Sequence, residues 1–266
     1  DSGLIYDVPD HVSASPNFTV NISAVQKSAT SNACVPAVTG ARNVAFSCTY
    51  VNPSTNPAAV PVVIGGTSVA CAGSPTNVSL SFNASGIANT TVSYADAGKI
   101  TLAATYTGSA GTSDTGLTMT GTDDFTAAPY YFSVTTALGS GSYYLAGIPF
   151  TATVTAKNKS GTTMANYGRE STVQAPTLSM VRIAPTATGS VAGTFTGSVS
   201  SYSSGVATAT NAVWTEVGYI DVAAVVSNYL STGITVAGSI DGSITCAAEG
   251  ATCTLPSGAT AIVYYG

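Results

Sequence analysis

His11 is the only histidine in the 266 residues, so a metal site built on paired imidazoles is excluded and a Ser-His-Asp relay would rest on one residue. Its neighbours Val8, Pro9 and Asp10 read instead as the turn into an opening strand that His11 helps to hold. Hydrolysis by paired carboxylates, which glycosidases set about 5 to 9 Å apart, has Glu170 and Glu216 as candidates. Arg169 stands directly before Glu170 and reads as its solvated ion-pair partner. Glu216 sits in a repeated block where Asp96 occupies the same corner, a place where a carboxylate accepts backbone N–H groups in a turn. Asp123 and Asp124, with Asp7 and Asp10, are weak calcium candidates, offering hard oxygen ligands without the spacing of a known loop. No catalytic residue, cofactor or firm metal ligand emerges, and the chain reads as a non-enzyme.

Cysteines stand at 34, 48, 71, 246 and 253 with no Cys-x-x-Cys knuckle, which argues against zinc. Cys246 and Cys253 flank a hairpin that a disulfide would staple, and such bridges persist in oxidising compartments. Cys48 shares a strand face with Val44, Phe46 and Tyr50, and Cys71 shares one with Val69. Both point inward, so Cys48 pairs with Cys71 and Cys34 is left over, although spacing alone leaves Cys34 open to either partner.

The elements that place these residues come as an internal repeat. Gly86-Ile87-Ala88 runs to Tyr94-Ala95-Asp96-Ala97-Gly98 and on to Ala104, and Gly205-Val206-Ala207 runs to Trp214-Thr215-Glu216-Val217-Gly218 and on to Ala224. The unit is a strand ending in an aromatic, an acid-x-Gly corner, and a second strand alternating apolar with polar residues. Tyr94, Asp96, Gly98, Trp214, Glu216 and Gly218 are therefore read as a structural corner, with the aromatics in the core. The second copy is one residue longer between its glycines, which a β-bulge near Val213 would absorb.

Period-two alternation continues over 17–25, 44–51, 78–82 and 150–156, with a Gly65-Gly66 hairpin between 62 and 69. The fold class is all-β: tandem immunoglobulin-like β-sandwiches over 1–125 and 126–232, joined near Asp123–Tyr130, with a β-hairpin tail over 233–266. The tail is too short to bury a core alone.

Only 7% of residues are charged, the net charge is −5, and no Lys/Arg track exists for a phosphate backbone, so nucleic acid is excluded as a partner. There is no apolar run of about 18 residues to span a bilayer. No charged-then-apolar leader opens the sequence, and the expectation is an exported chain whose signal has been removed. Tyr130-Tyr131, Tyr143-Tyr144 and Tyr264-Tyr265 offer contact surface, and Asn158 sits in an open turn of an Asn-x-Ser triplet.

The segments Leu4 to His11, Thr49 to Thr55, Ser81 to Ala88, Tyr94 to Gly98, Ala146 to Phe150 and Asn166 to Glu170 together resemble the MSHA (mannose-sensitive haemagglutinin) biogenesis protein Q family, of which this would be a short or divergent member. The likeness spans roughly residues 4 to 230. It implies an immunoglobulin-like tandem on a Gram-negative cell surface, working in type IV pilus biogenesis or adhesion, and brings no catalytic motif. The expected function is a structural or adhesive subunit of an extracellular pilus-like appendage. Its partners are copies of itself or other pilus components, joined by strand addition through Ile262, Val263, Tyr264 and Tyr265. The alternative is a monomeric carbohydrate- or receptor-binding adhesin that takes a surface glycan through loops carrying Tyr143-Tyr144 or Tyr202.

Overall fold

A computed structural model describes residues 2–14, 16–137, 144–240, 252–254 and 260–262. The chain divides into compact units of residues 1–127 and 128–266. In the first, the strands are β1 (Ser2–Tyr6), β2 (His11–Ser13), β3 (Phe18–Lys27), β4 (Cys34–Pro36), β5 (Gly40–Asn52), β6 (Val62–Ile64), β7 (Thr67–Val69), β8 (Thr76–Phe82), β9 (Ile87–Tyr94), β10 (Gly98–Thr107) and β11 (Thr118–Ala128). One sheet runs β1-β3-β9-β6-β7 with β4 also on β3, and the other runs β2-β11-β10-β5-β8. Alternation puts Val20, Ile22 and Ala24 of β3 in the core while Thr19 and Asn21 face water. Val44, Phe46, Ile100, Leu102 and Phe125 meet them in the same core. Apart from Ala24, each such side chain contributes about 1.5–3 kcal/mol on burial.

Cys48 and Cys71 are bridged across a sequence separation of 23, and the exposed Cys34 is the free cysteine of this unit. Closing a loop of that length contributes about 3 kcal/mol by restricting the unfolded chain. Asp123 and Asp124 do not lie in a linker, because β11 continues through them to Ala128.

The second unit contains β12 (Tyr131–Ala137), β13 (Phe150–Lys157), β14 (Thr177–Ala184), β15 (Phe195–Thr196), β16 (Ser201–Ser203), β17 (Val206–Trp214), β18 (Tyr219–Val226), β19 (Val236–Ser239), β20 (Thr252–Thr254) and β21 (Thr260–Ile262). One sheet is β12-β13-β17-β15 with β16 also on β17, the other is β14-β18-β19, and β20 pairs with β21.

The internal repeat extends well beyond the two strands that reveal it. Ala24 donates its N–H to Gly86 O at 2.9 Å, and Ala156 donates to Gly205 O at 2.9 Å. Opposite those alanines stand Leu4 of β1 and Phe132 of β12. Gly121 pairs with Ala104, Gly238 pairs with Ala224, and a Cβ built on either glycine would collide with Leu4 O or Phe132 O respectively. The sheets approach so closely there that only glycine fits. On the other side, Asn52–Lys99 is followed by Tyr50–Ile100, and Ala184–Tyr219 by Arg182–Ile220, so each unit has the same bulge beside its corner. The surplus residue of the second copy sits between Ala209 and Ala212, which face Ala152 and Phe150, a little before Val213.

These equivalences make β19 the counterpart of β11. Ile234 and Val236 are buried, so residues 233–240 complete the second sandwich rather than opening a tail.

Candidate functional site

The corner of the first sandwich is closed. Gly98 holds φ +128° because a Cβ there would lie 2.6 Å from Asn52 O and 3.0 Å from Pro53 Cδ. Asp96, 2% exposed, accepts the Ala97 N–H at 2.8 Å and the Asn56 amide at 3.0 Å. That amide also reaches the Tyr94 hydroxyl at 2.9 Å, while Asn56 Oδ1 accepts the Ala58 N–H at 2.9 Å. Burial first, and then the Asp96 charge, push the Tyr94 hydroxyl pKa far above its ordinary value, so it stays protonated. Tyr94 packs edge-on to Phe125, ring centroids 6.4 Å apart. The acid is a buried strut that organises the turn.

In the second sandwich the backbone corner is kept and the plug is gone. Gly218 has φ +143°, and a Cβ there would strike Ala184 O and come within 3.0 Å of Pro185 Cδ, matching Gly98. Trp214 is buried and donates Nε1–H to Ala192 O at 3.0 Å. The residue in the place of Ala97, which is fully buried, is Val217, which is 74% exposed. Asn56, three residues after Pro53, is matched by the exposed Thr188 after Pro185. With neither partner present, Glu216 is half-buried and lines a cavity of ≈ 490 Å³ with Tyr144, Phe150, Trp214, Tyr219 and Ile240. Tyr144 stacks on Phe150 at 4.5 Å, and its shielded hydroxyl oxygen has no hydrogen-bond partner among the described residues. Glu216 therefore differs from Asp96, although Trp214 and Gly218 keep their structural positions. The sequence signals for this opening are Val217 in place of Ala97 and Thr188 in place of Asn56.

The other candidates have structural roles. Glu170 is not solvated against Arg169; it is 4% exposed and accepts the Tyr229 hydroxyl at 2.7 Å and the Gly168 N–H at 2.8 Å. It pins the 166–174 loop to the turn at Tyr229 and does not line the cavity with Glu216, so the two do not share that site. Asp123 Oδ2 accepts the Val8 N–H at 2.7 Å, while Asp124 takes Thr101 Oγ1 at 2.5 Å and pairs with Lys99 at 2.9 Å. Their carboxylates are thus used within the sandwich, and among the described residues no three His, Cys, Asp or Glu side chains gather as a metal site would require. Asn158 is not open: it is 3% exposed and its Oδ1 accepts the Ser160 and Thr162 N–H groups, each at 3.0 Å.

Tyr131 is exposed, and Tyr202 is half-buried with its ring against Gly168. Ile262 lies in β21 and Cys253 in β20, while Tyr143, Cys246, Val263, Tyr264 and Tyr265 fall outside the described residues. Among the described residues no helix is long and apolar enough to cross a membrane.

Residues 1–122 match the model of a family described as a domain of unknown function, DUF6701, first Ig-like domain. No curated protein matches the sequence. The solved structures similar to it include the D0-D1 domain of Intimin, at 16% identity and a TM-score of 0.24, covering 90% of this chain and 96% of that one. They also include domains 5-6 of the S-layer protein SbsC, at 13% identity and a TM-score of 0.24, covering 90% and 98%. The immunoglobulin-like, all-β class rests on the sheets described above and on the family match.

Proposed function

We propose that the chain is a non-catalytic structural and adhesive module of a bacterial cell surface, a component of a pilus-like appendage that assembles by strand addition between copies. The observation that carries this is the unequal completion of the two sandwiches. Over Gly40–Phe46, β5 is covered by β8, whereas β14, whose Thr177 and Leu178 stand in the places of Ala45 and Phe46, pairs, among the described residues, with β18 alone. The segment leading into β17, β16, folds onto β17 instead. An edge strand left in this way is a template for a strand from another chain. Thr177 on β14 is exposed, and its counterpart Ala45 is where β5 takes Asn77 of β8. The Cys48–Cys71 bridge fits an oxidising location outside the cytosol. The likeness of residues 4 to 230 to the MSHA biogenesis protein Q family is the support for the pilus part of the reading. Ile262, Val263, Tyr264 and Tyr265 remain the proposed donor segment.

Sedimentation of the full chain at rising concentration tests the reading. Thr177→Lys, which puts a charge on the acceptor edge, should hold the protein monomeric where the parent associates, and so should removal of residues 241–266, which leaves β19 in place. Unchanged association of Thr177→Lys would exclude β14 as the acceptor. Unchanged association of the truncated chain would exclude the terminal segment as the donor.

A further inference from the structure

The cavity at the corner of the second sandwich stands where the first sandwich holds a phenyl ring, and we propose that it seats a tyrosine side chain from the chain's own terminal segment, Tyr264 or Tyr265. In the first unit Phe125 pairs with Ile100, and its ring lies edge-on to Phe18 at 5.6 Å and to Tyr94 at 6.4 Å. Each of these neighbours has a counterpart on the cavity wall. Ile220 matches Ile100 beside the shared bulge, Trp214 matches Tyr94, and Phe150, opposite Ala212, matches Phe18, opposite Val92. Counted on from the matching glycines Gly121 and Gly238, the place of Phe125 falls to Gly242, which has no side chain. Tyr144 stacks on Phe150 and still leaves ≈ 490 Å³ open. The walls of an aromatic socket are kept and its ring is missing.

The lining sets a second requirement. Glu216, half-buried on the wall, offers a carboxylate that only accepts, and no Lys, Arg or His stands among the described lining residues. A plain hydrocarbon would strip water from that carboxylate and return no donor, and an anion would meet it with no cation to offset the charge. The group that fits is an aromatic ring carrying an O–H or N–H donor. Past Ile240 the sequence has no Lys, Arg, His, Phe or Trp, and its only aromatic rings are Tyr264 and Tyr265. Ile240 is itself a wall of the cavity. β21 runs back along β20 with Thr252 opposite Ile262, so the strand that leads to Tyr264 ends beside the one that residues 241–251 join to Ile240. At about 3.3–3.6 Å per residue, that connection gives ample reach. A tether of this kind supplies the ring at an effective concentration on the order of millimolar, well above that of a second copy in dilute solution.

The seat does not depend on assembly, although a terminal segment held on its own sandwich is withheld from β14 of a neighbour. Trp214 is the only tryptophan of the chain, so its fluorescence reports the cavity directly. The full chain and its Tyr264→Ala/Tyr265→Ala variant are titrated with 4-methylphenol, the tyrosine side chain as a free molecule, and with toluene, which lacks the hydroxyl. Both are held at concentrations where sedimentation shows monomers. The variant should show red-shifted Trp214 emission and bind 4-methylphenol saturably, at least about tenfold tighter than the parent, in which the tethered ring competes. Glu216→Met added to the variant should abolish the preference for 4-methylphenol over toluene. Equal 4-methylphenol affinity in parent and variant would overturn the proposal, as would no saturable binding in the variant or a preference that survives Glu216→Met. Parent emission that shifts with protein concentration would overturn it too, since the ring would then come from a second copy. Filaments from a chain that fails these titrations would leave the assembly reading standing; a chain that passes them and never associates would do the reverse.

Discussion

Asp96→Asn and Glu216→Gln make the same chemical change at the same place in the repeat, and the structure assigns them very different costs. Asp96 is 2% exposed and receives the Ala97 N–H and the Asn56 amide on its two oxygens. An asparagine there must aim its NH₂ at one of those two donors. Turning the Asn56 amide over to relieve the conflict would break its 2.9 Å bond from the Ala58 N–H. The change removes a charge-assisted hydrogen bond, about 1.5–3 kcal/mol, and buries an unmatched donor, about 1–3 kcal/mol, for a total of roughly 2.5–6 kcal/mol. A unit of 127 residues loses roughly 4 °C of Tm per kcal/mol, so its transition should fall by roughly 10–24 °C. Glu216 is half-buried and has no comparable pair of donors among the described residues, so Glu216→Gln should stay within about 0.5 kcal/mol of the parent. The assay is differential scanning calorimetry of the full chain. The transition of the first unit is identified as the one that Cys48→Ser lowers. Equal shifts for the two substitutions, or none for Asp96→Asn, would refute the claim that one corner is plugged and the other open.

Three further outcomes are expected. Cys48→Ser should lower the stability of the first unit by about 3 kcal/mol in urea unfolding and leave the second unit unchanged. Gly238→Ala should unfold the second unit, as Gly121→Ala should the first, because each added Cβ meets a backbone oxygen; a silent Gly238→Ala by calorimetry would mean that 236–239 is not the closing strand. Partial burial pulls the Asp114 carboxyl up, but hydrogen bonds from Thr112, Tyr106 and Ser109 and the Arg42 charge outweigh it and hold the pKa at about 2, against an ordinary 3.8. With the folded value depressed, that stabilisation is complete above about pH 4 and is lost as pH falls toward 2. Thermal scans across this window should show Asp114→Asn with a flatter pH dependence than the parent.

The sandwich architecture was readable because half-buried strands write their faces into the sequence: Val20, Ile22 and Ala24 alternate with polar residues, and Cys48 continues the inward face of Val44 and Phe46. The repeated Gly86–Gly98 and Gly205–Gly218 spans were equally plain, because a positive φ and a close backbone approach leave glycine little competition. Long-range partners were not readable. Glu170 beside Arg169 looks like a surface pair, and nothing local reveals that the Tyr229 hydroxyl, 59 residues away, claims it. The strand at Val236–Ser239 reads in the sequence as part of the 233–266 tail because it shares geometry with β11 but almost no residues, the common feature being a single glycine at the sheet junction. The cavity was hidden for a related reason: it arises from partners that the second copy lacks, and an absent asparagine shows only when the two copies are aligned beyond the corner itself.

That these tandem sandwiches join copies edge to edge can be seen by negative-stain electron microscopy of the purified full chain at rising concentration. Filaments that disappear in Thr177→Lys are the predicted result. Separate particles at every concentration, in parent and variant alike, would contradict it.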